Sequence, residues 1–181
     1  MTPSTAHDRE LLRRIRWLVA LFIVGLVLSG ATAIPLETEV DYLVKLTGAR
    51  QLVEAPGFTQ SPAWAEWLYR VQTALRETNS KFPFISYGGD WLAFGHFVIA
   101  IVFIGAWRDP VRNNWLFDFG LIACALVIPY ALICGGVRGI PIWWRLIDCS
   151  FGVLGAIPLW ICRRDVQSLA NRGIYGTDST G

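Results

Sequence analysis

Six residues of types that bind anions or move protons gather in two short stretches. Tyr87, Asp90 and His96 lie in one, Arg138, Arg145 and Asp148 in the other. A guanidinium presents a fixed fork of donors that suits carboxylate or phosphate, and a His near an Asp is a common proton-transfer pair at neutral pH. Brought together, they would form a pocket where Arg138, Arg145 and Tyr87 hold an anion or a lipid headgroup. His96 would then move protons with Asp90 or Asp148. The plainer expectation is structural: Arg145 pairs with Asp148 one turn away, or with Asp90, and His96 bonds across helices to hold them together. Six residues turn a helix through about 600°, which leaves Asp90 and His96 about 120° off a shared face. They do not form a ready-made metal site, and no metal site is predicted.

The elements that must position these residues are apolar blocks of bilayer-spanning length, about 17–34, 91–107, 115–134 and 146–162. At about 1.5 Å per residue each covers roughly 25 to 30 Å, the thickness of the hydrocarbon layer. Trp17, Trp91, Trp107, Trp115, Trp143, Trp144 and Trp160 all stand at or beside a block end, where an indole keeps its ring apolar and its N–H wet. The 181 residues are 54% hydrophobic and only 17% charged, with a net charge of +2, which excludes a disordered chain and a nucleic-acid binder. The fold class expected is all-α: a polytopic membrane protein with four transmembrane helices in an antiparallel bundle. Residues 1–181 form a single membrane domain in this reading.

Arg9, Arg13, Arg14 and Arg16 precede the first block, Arg108 and Arg112 follow the second, and Arg163 and Arg164 close the fourth. Short basic flanks stay on the cytoplasmic side, so both termini are expected there and the segment 35–89 outside. The basic residues, the apolar run and Ala31-Thr32-Ala33 near its end also resemble a secretory signal, but the run is longer than a typical signal core and reads as an uncleaved anchor.

A connection of about 55 residues should contain helices of its own. Ser61-Pro62 reads as N-cap and first helical residue of an amphipathic helix running to about Thr78. Its apolar face, with Trp64, Trp67, Leu68 and Val71, would lie on the outer leaflet, cover the mouth of the bundle or bind a protein partner. Glu37 to Leu46 forms another short helix ended by Gly48, and Ala55-Pro56-Gly57 a turn. Arg108-Asp109-Pro110 and the run from Gly135 to Pro141 make tight turns between antiparallel helices. Pro129 and Pro158 fall inside spans, where each removes a backbone donor. Gly25 with Ser29, Gly120 with Cys124, and Gly152 with Ala156 are small-residue pairs that let helices approach. Asp118 is expected to pair with Arg108, Arg112 or Arg163.

No cofactor is expected. His7 and His96 are the two histidines, at opposite sides of the bilayer in this topology, so one chain cannot supply a bis-histidine haem site. The four cysteines contain no CxxC, which disfavours a disulfide oxidase. Cys134 and Cys149 lie at similar depth and either bridge or pack as thiols, with packing favoured. No phosphate-loop, zinc-protease, nucleophile-elbow or dinucleotide motif occurs.

The stretches from Tyr87 to His96 and from Arg138 to Cys149 resemble segments of a family of small four-helix bacterial inner-membrane proteins whose activity is not known. The resemblance covers roughly half the chain. It implies a bacterial inner membrane and carries over no catalytic role. A coherent bundle without a catalytic set leads to the expectation of a non-catalytic scaffold or accessory subunit. It would bind a protein partner or a lipid headgroup at its outer face, with membrane lipids and a possible second copy as partners. The alternative is an intramembrane enzyme or transporter that uses the Asp/His/Arg pocket on an anionic or lipid substrate.

Overall fold

The computed structural model describes residues 6–54 and 61–171; the turn expected at Ala55-Pro56-Gly57 lies outside them. Seven α-helices and one 3-10 helix make up the described residues, with no strand among them. The helices are α1 (Ala6–Ala33), α2 (Leu36–Thr47), α3 (Ala49–Glu54), α4 (Ala63–Lys81), α5 (Tyr87–Arg108), α6 (Trp115–Val137) and α7 (Ile142–Asn171); the 3-10 helix is Pro83–Ile85. Four stretches are long and apolar enough to cross a membrane: α1, the 3-10 helix running on into α5, α6 and α7. Leu21, Leu28, Ile101, Ile122, Leu126, Ile133, Phe151, Leu154 and Ile157 point outward from these helices. So much outward apolar surface is intolerable in water and ordinary against lipid. The chain is a multi-pass integral membrane protein.

Two compact units share the chain. The first comprises the residues up to Gly25 and those from Ala100 onward, thus the first part of α1, the end of α5, and all of α6 and α7. Here α6 and α7 pack as an antiparallel pair. A Cβ at Gly152 would stand 2.5 Å from the Cys124 carbonyl oxygen, and one at Gly120 2.7 Å from Leu159 Cδ1. Both glycines are therefore close-approach points, as their spacing predicts, whereas a Cβ at Gly25 would meet nothing within 4 Å. Phe103 of α5 packs on Phe22 of α1 with ring centroids 4.8 Å apart. The turn after α6 is a Schellman motif: Gly139 takes φ 68, its N–H donates to the Gly136 carbonyl, and the Ile140 N–H donates to Gly135. At the other connection Asn113 Nδ2 donates to the carbonyls of Gly105 and Asp109, closing the end of α5.

Helices α1 and α7 run well beyond their apolar stretches, which the sequence reading did not anticipate. Asp8, Leu11, Ile15 and Val19 make one buried stripe on α1, and Cys162, Asp165, Val166 and Leu169 one on α7. Arg14 Nε donates to Asp165 at 2.8 Å, and the Cys162 thiol faces the Ile15 carbonyl at 3.8 Å, so the two stripes meet. Asp118 pairs with Arg163, one of its three expected partners. The four cysteines are free thiols.

The second unit, Leu26–Ile99, holds the end of α1, helices α2 to α4, the 3-10 helix and the start of α5. Two residues separate α1 from α2, and Gly48, at φ 66, ends α2 as expected, its N–H donating to the Val44 carbonyl. Helix α4 packs on α2 and α3. Its buried residues are Ala65, Leu68 and Gln72, a stripe that keeps Leu68 of the expected Trp64, Trp67, Leu68 and Val71 face and is rotated away from the other three. Pro62 takes the N-cap position, one residue later than Ser61, whose hydroxyl instead donates to Glu66 at 2.9 Å.

Candidate functional site

The six candidate residues divide evenly between the units. Tyr87, Asp90 and His96 belong to the second, on the first three turns of α5. Tyr87 and Asp90 are exposed and His96 is half-buried. His96 Nδ1 lies 2.8 Å from the Leu92 carbonyl oxygen, which can only accept, so the imidazole proton sits on Nδ1. Through Nδ1 the ring bonds to its own helix, and no hydrogen bond from it across helices occurs among the described residues. Its Cβ stands 3.0 Å from where a Cβ on Gly30 would be, so α1 passes close by at that point.

Arg138, Arg145 and Asp148 belong to the first unit. Arg138 is the exposed C-cap of α6. Arg145 does not pair with its neighbour Asp148. Its stem lies over Gly135 and Gly136, where an added Cβ would meet Arg145 Cδ at 2.6 Å, and one η nitrogen donates to the Leu132 carbonyl at 3.1 Å. Two adjacent glycines leave a trough in α6 that an arginine stem fills, and the guanidinium then finds a backbone acceptor. Its buried Nε has no hydrogen-bond partner. Asp148 is half-buried one turn further on.

Of the residues expected to meet a partner, Trp64 is exposed, Trp67 and Val71 are half-buried, and Leu68 is buried within the second unit. The α4 face that carries Leu68 is the one packed within the α2–α4 layer.

A polar constellation that the sequence reading passed over lies in that layer. A cavity of about 470 Å³ is lined by Asp41, Lys45, Arg50, Gln72 and Arg76, together with Thr38, Tyr42, Val44 and Gln51. Two similar relays build it. Gln72 Nε2 donates to one oxygen of Asp41 at 2.8 Å, and Arg76 donates an η nitrogen to the other at 2.8 Å. The Tyr69 hydroxyl donates to Glu54 at 2.7 Å, and Arg50 donates its Nε to the same carboxylate at 3.0 and 3.1 Å. In each relay a neutral donor on α4 fixes a carboxylate, and that carboxylate fixes an arginine. The Arg76 guanidinium and then the Gln72 amide hold the Asp41 carboxyl below its ordinary range. Tyr69 and then Arg50 do the same for Glu54, which in turn raises the Tyr69 phenol. Further along, Asn79 donates to Glu37 and accepts from Ser86, tying α4 to α2 and to the 3-10 helix turn.

The chain matches no protein-family model, no curated protein and no solved structure. The structure itself shows a small all-α chain with four stretches long and apolar enough to cross a membrane. Among the described residues no group of three or more His, Cys, Asp or Glu side chains could hold a metal ion. Chemically, the α2–α4 constellation offers carboxylate-held cationic donors beside an open cavity.

Proposed function

We propose that this protein is a non-catalytic, four-span protein of a bacterial inner membrane, with both termini in the cytoplasm and the α2–α4 layer on the outer face. That layer binds the headgroup of a membrane lipid. The observation that carries the reading is the cavity of about 470 Å³ where Lys45, Arg50 and Arg76 gather against two carboxylates, Asp41 on its wall and Glu54 paired with Arg50. Its place in the chain favours lipid over a soluble ligand. Two residues separate the end of the apolar α1 from α2, and one separates α4 from the 3-10 helix that leads into α5. Asp41 and Lys45 therefore stand only about 8 to 14 Å along α2 from its junction with the span, at 1.5 Å per residue. The engagement of His96 by Leu92 and of Arg145 by Leu132 supports a structural use of those two residues over a proton-moving or anion-moving one.

Native mass spectrometry of the full chain released from mild detergent tests this. The expected spectrum shows the protein carrying one or two retained phospholipids after extensive washing. A protein that always emerges free of lipid would remove the proposal.

A further inference from the structure

The cavity between α2, α3 and α4 has a donor arrangement more specific than a patch of positive charge. Three cations reach it from three elements: Lys45 from α2, Arg50 from α3 and Arg76 from α4. Each arginine spends only part of its fork inside the protein, Arg50 its Nε on Glu54 and Arg76 one η nitrogen on Asp41. A guanidinium carries five N–H donors, so each keeps several while its position stays fixed by the carboxylate. Lys45 is exposed and has no salt-bridge or hydrogen-bond partner among the described residues. Asp41 holds the Arg76 guanidinium in its charged form, and Arg50 opposes it only as the smallest of the contributions. Each arginine already faces one carboxylate, so the charge of Lys45 is the surplus at the cavity. A second cavity of about 590 Å³, lined by Tyr69, Thr73, Glu77, Ser80 and Lys81, shares Arg50, Gln72 and Arg76 with the first, so the two arginines border open space on both sides.

We propose that Lys45, Arg50 and Arg76 form a clamp for a phosphate group, the phosphate of a lipid headgroup or of a small soluble phosphate. Donors supplied by three separate helices suit the several oxygens of a tetrahedral phosphate better than the two coplanar oxygens of a carboxylate. Arginine supplies the bidentate geometry and Lys45 a mobile point charge. The cavity is far larger than a bare phosphate fills, and Thr38, Tyr42 and Gln51 on its wall can meet the hydroxyl groups of an attached alcohol such as glycerol. Asp41 and Glu54 act as positioning residues: they aim the arginines and leave their remaining donors free. This inference rests on the lipid-binding reading above and names the chemistry and the residues that perform it.

The test is a titration of the delipidated full chain in a non-ionic detergent with three probes: a short-chain phosphatidylglycerol, the corresponding short-chain diacylglycerol, and inorganic phosphate. The clamp requires that phosphatidylglycerol bind and the diacylglycerol not bind. Lys45→Gln, which breaks no internal pair, should weaken binding about tenfold, the scale of one charge-assisted hydrogen bond. Arg76→Gln should weaken it at least as much, and Arg76→Lys should restore part of the loss while circular dichroism confirms an unchanged helix content. If inorganic phosphate binds as tightly as the lipid and with the same dependence on Lys45, the clamp stands and its ligand is a soluble phosphate. Lipid binding that ignores both substitutions would overturn the clamp and leave the broader reading in place. If phosphatidylglycerol fails to bind at all and no lipid is retained in the mass spectrum, both fall.

Discussion

Arg76 of α4 donates to Asp41 of α2 at 2.8 Å across thirty-five residues of sequence, and Gln72, one turn before Arg76, holds the other oxygen of the same carboxylate. This contact fastens two helices that also pack on one another, and it does so with a carboxylate that must be ionised. Glu54 repeats the arrangement between α3 and α4.

The first consequence is a pH dependence. Asp41 and Glu54 both have their carboxyls lowered in the folded chain. Their contribution is therefore complete above the ordinary carboxylate range, about pH 4, and is lost as pH falls through the depressed folded values. Tyr69 is raised, so its contribution is complete below the ordinary phenol value of about 10 and is lost as pH climbs through the raised one. Hydrogen exchange of the α2–α4 amides should show steady protection between roughly pH 5 and 9 and loosening outside it, with intrinsic exchange rates corrected for pH. Protection that keeps rising as pH falls below about 4 would contradict the relay.

A second consequence concerns the tight crossing in the first unit. Gly152→Ala places a methyl 2.5 Å from the backbone carbonyl of Cys124, which cannot swing away as a side chain can. A loss of about 1–3 kcal/mol is expected, read as a lowered thermal midpoint in detergent. Gly25→Ala is the control, because nothing lies within 4 Å and alanine is the better helix former. It should be neutral or gain up to about 1 kcal/mol. Equal effects from the two substitutions would show that the α6–α7 crossing is looser than described.

The pair between α1 and α7 should respond asymmetrically. The Asp165 side chain is 4% exposed and that of Arg14 48% exposed. Arg14→Gln leaves a buried carboxylate with Arg164 alone, at 3.7 Å, and should cost about 1–3 kcal/mol. Asp165→Asn leaves a half-exposed guanidinium that water can serve, and an amide oxygen that still accepts from it, so the cost should be smaller. Thermal unfolding of the two variants side by side decides the order. A larger loss from Asp165→Asn would mean that the burial of Asp165 is not what makes the pair matter.

Much of the fold was legible because the signals are local. Long apolar runs with at most one Asp each, flanked by Trp and Arg, marked the four long helices, Gly48 and the Gly135–Pro141 run marked two helix ends, and Asp118 found one of the arginines proposed for it. The continuations of α1 and α7 were legible in principle. Leu11, Ile15 and Val19 share a face, as do Cys162, Val166 and Leu169, but the charges between them suggested a solvated tail. The α2–α4 cavity was not legible in the same way. Asp41, Arg50, Glu54 and Arg76 look in sequence like balanced loop charge, and their pairing depends on contacts up to thirty-five residues apart. One signal was present: Gln72 falls among Ala65 and Leu68 on the face that α4 buries, and a buried amide needs a partner. Arg145 escaped for a different reason. Helical spacing favours Asp148 as its neighbour, while the trough at Gly135 and Gly136 that draws its stem away exists only once α6 and α7 are packed.

The measurement closest to the centre of this account is sidedness. With the four cysteines replaced by serine or alanine, Thr73→Cys and Gln167→Cys each place one thiol on an exposed position, the first on α4 and the second near the end of α7. A membrane-impermeant maleimide applied to cells whose outer membrane has been made permeable should label Thr73→Cys at once. Gln167→Cys should react only after the inner membrane is opened. Labelling of both from the same side, or of Gln167→Cys alone in intact inner membranes, would contradict the account.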